Sequence, residues 1–139
     1  MKNKIDLRLI FYTDGDMNHE EIESMIGIKP FRTYTKGLPK NSFVKVLAKS
    51  SAWHMEVSNN KETSFEDQLN ALLDLIEAKY EVFESLCHRY SCEISCAVFL
   101  YFGNEESTPW IHLDQRFMDL CSKLKIEFDI DMYNWPDRE

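Results

Sequence analysis

The chain has 139 residues, 44% of them hydrophobic and 29% charged, with only four Gly and four Pro; this is the composition of one globular domain, residues 1–139, with no disordered or repetitive tract. A formal net charge of -8 disfavours generic binding to nucleic acid. The longest apolar run, Cys96 to Phe102, is too short to span a bilayer, and Asp6 and Arg8 interrupt the N-terminal apolar stretch where a signal peptide is continuous. A soluble, cytoplasmic protein is expected.

Ile5 to Tyr12 alternates, with Ile5, Leu7, Leu9 and Phe11 on one face, which predicts a strand burying that face. Asn18 and Glu21 form a capping box with Met17 and Ile22 as its hydrophobic staple, and Gly27 followed by Pro30 ends a short helix. Phe31 to Lys36 reads as a strand, Gly37 and Pro39 as a turn, and Phe43 to Leu47 as a short strand or edge segment. Ser51 to Ser58 alternates again, with Trp53, Met55 and Val57 on its apolar side. Thr63 and Glu66 make a second capping box, after which Leu69, Leu72, Leu73, Ile76, Tyr80, Phe83 and Leu86 keep helical spacing in one long helix to about Cys87. Cys92 to Phe102 is a strand, Asp114 caps a helix with the stripe Phe117, Leu120, Cys121 and Leu124, and Ile126 to Tyr133 is a last strand.

This order predicts an α+β fold: a ferredoxin-like βαββαβ antiparallel sheet with helices on one face, extended by a C-terminal helix and strand. In that topology the first and fourth strands are neighbours. Ile10, Tyr12, Phe99 and Tyr101 would then share the sheet face away from the helices, an aromatic surface through which a homo-oligomer could form.

Several residue sets merit weighing as sites. Between Glu23 and Glu56 there is no acid, yet Lys29, Arg32, Lys36, Lys40, Lys45 and Lys49 fall there among Phe31, Tyr34, Phe43 and Trp53. Within this basic segment 29–49, Arg32, Tyr34 and Lys36 share a strand face by parity and make the candidate ligand site, because an arginine fork with a lysine suits a phosphate or carboxylate. A solvated hairpin fits the same residues. The rest of the chain carries ten basic against 24 acidic residues. Glu127, Asp129 and Asp131 line one face of the last strand and are the candidate partner-binding row; charges there also discourage edge pairing. Asp14 and Asp16 form a second acidic cluster.

Cys87, His88, Cys92 and Cys96 offer zinc-ligand types, but their spacing fits no ordinary zinc pattern. Cys92 and Cys96 on one strand stand roughly 13 Å apart, beyond disulfide reach, so reduced, structural thiols are expected. His54 with Glu56, and His112 with Asp114, pair imidazole and carboxylate at i, i+2, yet no nucleophile elbow stands beside them. No catalytic residue, metal or cofactor is called for.

The stretches HEEIESMIGIKPFRTYTKG, SAWHMEV, CEISCAVFLYF and LDQRFMDLCSKLKIEFDIDMY together resemble a bacterial family called domain of unknown function 4279. The shared pieces are a helix running into GI-x-P-x-R and a KG turn, a strand Trp, and a closing D-x-D-x-Y strand. The resemblance implies a small cytoplasmic bacterial α+β domain and carries no activity with it. Lys40 to Ser50 reads as an insertion specific to this chain. Size, charge and missing catalytic groups point to a non-enzymatic protein-binding module with a protein partner, concretely an immunity-type protein neutralising a toxin. The alternative is a small-ligand domain binding an anionic metabolite or nucleotide at the basic segment 29–49.

Overall fold

The computed structural model describes residues 1–43 and 45–138. Its elements are β1 (Lys4–Thr13), α1 (His19–Ile26), β2 (Arg32–Tyr34), β3 (Ser51–Met55), α2 (Phe65–Ala78), α3 (Tyr80–Arg89), β4 (Ser91–Phe102), α4 (Gln115–Leu124) and β5 (Glu127–Pro136). The strands form one sheet in the order β2-β3-β1-β4-β5. Every neighbouring pair is antiparallel except β4 and β5, which run parallel. The fold is therefore α+β with a mixed five-stranded sheet, antiparallel among β1 to β4 as expected and parallel where the added C-terminal strand joins it. The cause is α4, since a helical crossover between adjacent strands returns the chain in the same direction.

The inner face carries the core. Ile5, Leu7, Leu9 and Phe11 of β1 meet Trp53 and Met55 of β3 and Cys92, Ile94, Cys96 and Val98 of β4 beneath the apolar stripes of all four helices. Alternation along β1, and along β4 from Ser91 to Phe99, leaves the opposite face without a helical cover; at the end of β4 the parity breaks, with Tyr101 buried and Phe102 exposed. Asn18 Oδ1 accepts from the Glu21 amide at 3.0 Å and Gly27 ends α1 at φ 81°, as expected, but the Glu21 carboxylate accepts from Arg89 instead of completing the capping box. Asp114 caps α4 through the Phe117 amide at 2.9 Å.

Other boundaries differ from expectation. The long helix is two: Lys79 leaves helical geometry at φ -122°, ψ 39°, and its Nζ donates to the Ile26 carbonyl at 2.6 Å, satisfying the end of α1. The cap of α2 is Ser64, which accepts from Asp67, rather than Thr63. β2 stops at Tyr34 and β3 at Met55, so Lys36 and Glu56 lie outside strands. In the expected edge segment Phe43 to Leu47, Val44 lies outside the described residues, and the others contribute only a single bridge between Leu47 and Pro39.

Candidate functional site

The uncovered sheet face can be mapped from its register. Arg32, His54, Ile10, Glu93 and Glu127 form one row across all five strands. Arg8, Ser95 and Asp129 form the next, then Asp6, Ala97 and Asp131, then Lys4, Phe99 and Tyr133, with Tyr101 beside Trp135 at the end. Both sets of expected site residues thus touch the same face, but at its opposite edges. Three strands separate them, about 19 Å at the usual interstrand spacing.

At the β2 edge, Arg32 Nη1 donates to Tyr34 Oη at 3.2 Å, bringing those two together as parity predicts. Lys36 is not part of the arrangement: its Nζ reaches the Asp14 carbonyl at 3.2 Å and its amide donates to Ser51 Oγ. The signal that sequence reasoning missed is Phe31, whose ring has the guanidinium of Arg8 at 4.3 Å, that of Arg32 at 5.5 Å and the Lys61 ammonium at 5.7 Å from its centroid. Asp6 neutralises Arg8 through two bonds of 3.2 and 2.9 Å and also accepts from Lys61 at 2.9 Å; Lys61 bonds Glu56 as well. Arg32 has no carboxylate partner among the described residues.

His54 stands between these cations, edge-on to Tyr34 at 5.5 Å, with Nδ1 buried and without a hydrogen-bond partner among the described residues. Burial first, then the charges of Arg8 and Arg32, hold its pKa down at about 4. A neutral imidazole at pH 7 follows. Because the folded value lies below the ordinary 6.5, the unfolded chain takes up the proton more readily, so stability is complete above pH 6.5 and drains away as pH falls toward 4. Allowing for screening at the sheet surface, the loss is about 1–3 kcal/mol. Urea midpoints at pH 7 and pH 4.5 should fall further in the parent than in His54→Gln; equal falls would show that the histidine carries none of the pH dependence.

At the β5 edge, Glu127, Asp129 and Asp131 are exposed as expected and are joined by Glu93 of β4. None of the four has a cationic partner among the described residues. Burial and the charges of Asp129, Glu127 and Asp131 raise the Glu93 pKa, and burial with Glu127 and Glu93 raises that of Tyr12. The row is electrostatically frustrated as it stands.

The aromatic face forms with different members. Phe99 lies opposite Lys4 while Tyr12 lies opposite Ser91, so antiparallel pairing sends the expected set Ile10, Tyr12, Phe99 and Tyr101 to the two ends of the β1–β4 ladder. Phe99 stacks instead on Tyr133 at 5.1 Å and lies 5.9 Å from Trp135, which meets Tyr133 at 5.5 Å and Tyr101 at 6.3 Å. Tyr133 and Trp135 are 40% and 47% exposed. The parallel β4–β5 pairing that makes this cluster was available from the strand, helix, strand order of the C-terminus.

The remaining sets resolve locally. All four cysteines are free, with Cys92, Cys96 and Cys121 buried and Cys87 half-buried. Burial pushes the Cys96 and Cys121 thiols up to about 12, which keeps them protonated. A hydrogen bond with Cys92 lowers the Cys87 pKa. No three His, Cys, Asp or Glu side chains converge as a metal site among the described residues. His112 stacks on Trp110 at 5.1 Å, and Asp114 is occupied as a helix cap. A cleft of about 760 Å³ opens between the start of α1 and the end of α3, lined by His19, Glu20, Glu23, Arg89 and Tyr90 among others. Arg89 there is already paired with Glu21 at 2.6 Å. No helix among the described residues is long and apolar enough to cross a membrane.

No curated protein and no solved structure matches the chain. The family model described as domain of unknown function (DUF4279) matches residues 3–135, and with nearly the whole chain covered the protein belongs to that family.

Proposed function

We propose that the protein is a non-catalytic protein-binding module that presents the β4–β5 end of its open sheet face to a basic protein, in the manner of an immunity-type protein capturing a toxin domain. The observation that carries this reading is the row Glu93, Glu127, Asp129 and Asp131: four carboxylates whose mutual repulsion no cation among the described residues relieves, next to the exposed rings of Tyr133 and Trp135. Aromatic anchors beside steering charges are what rapid, specific association uses. The same reading treats β1 to β4 as a ferredoxin-like unit to which α4 and β5 have been added, which would make the added strand the recognition element.

The test is affinity capture from extracts of the native host by the parent and by a double variant, Asp129→Asn with Asp131→Asn. A stoichiometric basic partner should be held by the parent and associate on the order of tenfold more slowly with the variant, with a shallower salt dependence. Equal capture by both proteins removes the acidic row from the reading, and the absence of any stoichiometric partner removes the reading itself.

A second reading has its own support. Arg32, with no carboxylate partner among the described residues, and His54, whose buried Nδ1 has no hydrogen-bond partner among them, make the β2 edge suited to a small phosphate-bearing or carboxylate ligand. Such a ligand at 100 times its dissociation constant would stabilise the parent by about 2.7 kcal/mol. Arg32→Ala should lose that shift in a melt, and a panel of phosphates and nucleotides that leaves the parent's melt unmoved disposes of the site.

A further inference from the structure

Among the described residues β5 pairs on one side only. All ten of its residues, Glu127 to Pro136, are in register with β4, and it ends the sheet. Its outer row of backbone groups, roughly 33 Å long at the usual rise, is therefore open. Both of its faces are open too. Phe128 is held under Phe65 and Phe117 at ring distances of 6.3 and 5.6 Å, but beyond it Ile130 and Met132 are 40% and 60% exposed on the helix side. On the other side stand Glu127, Asp129 and Asp131, followed by Tyr133 and Trp135.

An unpaired edge with apolar side chains on one face and carboxylates on the other specifies a strand of complementary alternation. We infer that β5 is a strand-addition site: an extended segment of the partner pairs its backbone with the free edge, setting basic side chains beside Glu127, Asp129 and Asp131 and apolar side chains beside Ile130 and Met132. The inference rests on the protein-binding reading above and adds its mode.

The carboxylates decide the occupant. Opposite charges placed directly across a strand pair stabilise it and like charges destabilise it. A second copy that pairs antiparallel around Asp129, Ile130 or Asp131 sets acid against acid, and each copy brings a net charge of -8. An edge of this length without charges would invite indiscriminate pairing. The acidic row closes it to the protein's own copies and leaves it open to a basic strand. Glu93, on the neighbouring strand, gains from the same event, because an incoming cation relieves the repulsion among the four acids.

The test uses the full chain with a blocked eight-residue peptide of alternating lysine and valine, and the same peptide N-methylated at every backbone nitrogen, which keeps charge and side chains but removes the donors on both strand edges. Binding is followed by titration and by amide exchange of the protein. The unmethylated peptide should slow exchange at alternate amides of β5 at least tenfold, and the methylated one should bind at least tenfold more weakly. If both peptides bind alike, without protection along β5, and both lose affinity in the double variant Asp129→Asn with Asp131→Asn, strand addition is overturned while acidic recognition stands. If methylation is discriminated but the Asp variant binds unchanged, the edge stands and the role of the carboxylates falls. No binding of the unmethylated peptide at millimolar concentration overturns the inference. Dimerisation of the Asp variant while the parent stays monomeric supports the role given to the acids in excluding a second copy.

Discussion

Replacing Trp53 by alanine is expected to cost about 3–5 kcal/mol, the range for deleting a large aromatic side chain from a packed interior. The residue is wholly buried on β3, opposite Phe11 in the β1–β3 ladder. Its ring lies 6.2 Å from Phe11, which in turn lies 6.2 Å from Phe83 of α3 and 6.5 Å from Tyr90. The indole therefore begins a chain of rings that ties the short β3 strand to the helical layer through β1. Removing it leaves a cavity that β3, five residues long and flanked by loops, cannot collapse around without losing register. For a chain of this size the melting temperature should drop by roughly 10–20 °C. Trp53→Phe separates packing from polarity: Nε1 has no hydrogen-bond partner among the described residues, so the phenyl variant forfeits volume but no bond and should lose much less. Should the alanine variant melt with the parent, the ring chain contributes nothing to cohesion and the core must be held by the aliphatic stripes alone.

Trp53 also shows what is legible in such a sequence. Its burial follows from alternation with Met55, and the inner faces of β1 and of β4 up to Phe99 follow from the same period of two, because one buried face forces parity. α1 is legible from Asn18, Glu21 and Gly27, whose roles are local. What stays hidden depends on partners distant in sequence. The apolar stripe runs without interruption from Leu69 to Leu86, and nothing in it marks Lys79 as the break; the reason lies in the Ile26 carbonyl that Lys79 caps. Parity places Phe99 and Tyr12 on one face, but only register separates them by the length of the strand. Likewise Arg32 and Tyr34 are brought together as parity requires, whereas Lys36 is drawn away by the Asp14 carbonyl, and Phe31 gains its cations from Arg8 and Lys61 elsewhere in the chain.

Gln68 is the second residue whose loss should be severe, and it drew no notice in the sequence because a glutamine on an amphipathic helix is usually exposed. Here it is 1% exposed. β3 accompanies β1 only from Leu9 to Thr13, so the first half of β1 lacks a strand on that side. Its polar groups are served otherwise: the Ile5 amide donates to the Lys61 carbonyl at 2.8 Å, and Gln68 Nε2 donates to the carbonyls of Ile5 at 3.0 Å and Thr63 at 2.8 Å. One side chain on α2 thus stands in for a missing strand and fixes the loop that delivers Lys61 to Asp6. Gln68→Leu keeps the volume but strands two carbonyls in a buried setting, at about 2–4 kcal/mol. Gln68→Glu makes the cause visible through pH. An ionised carboxylate facing two carbonyls is disfavoured, so its folded-state pKa rises above the unfolded value, and the variant should be firmest below about pH 4 and weaken as pH climbs through that raised value. Urea midpoints across pH 4 to 8, referenced to the parent, measure this directly. A Gln68→Glu variant whose stability relative to the parent does not change across that range would mean that the two carbonyls find other donors and that the glutamine is no substitute for a strand.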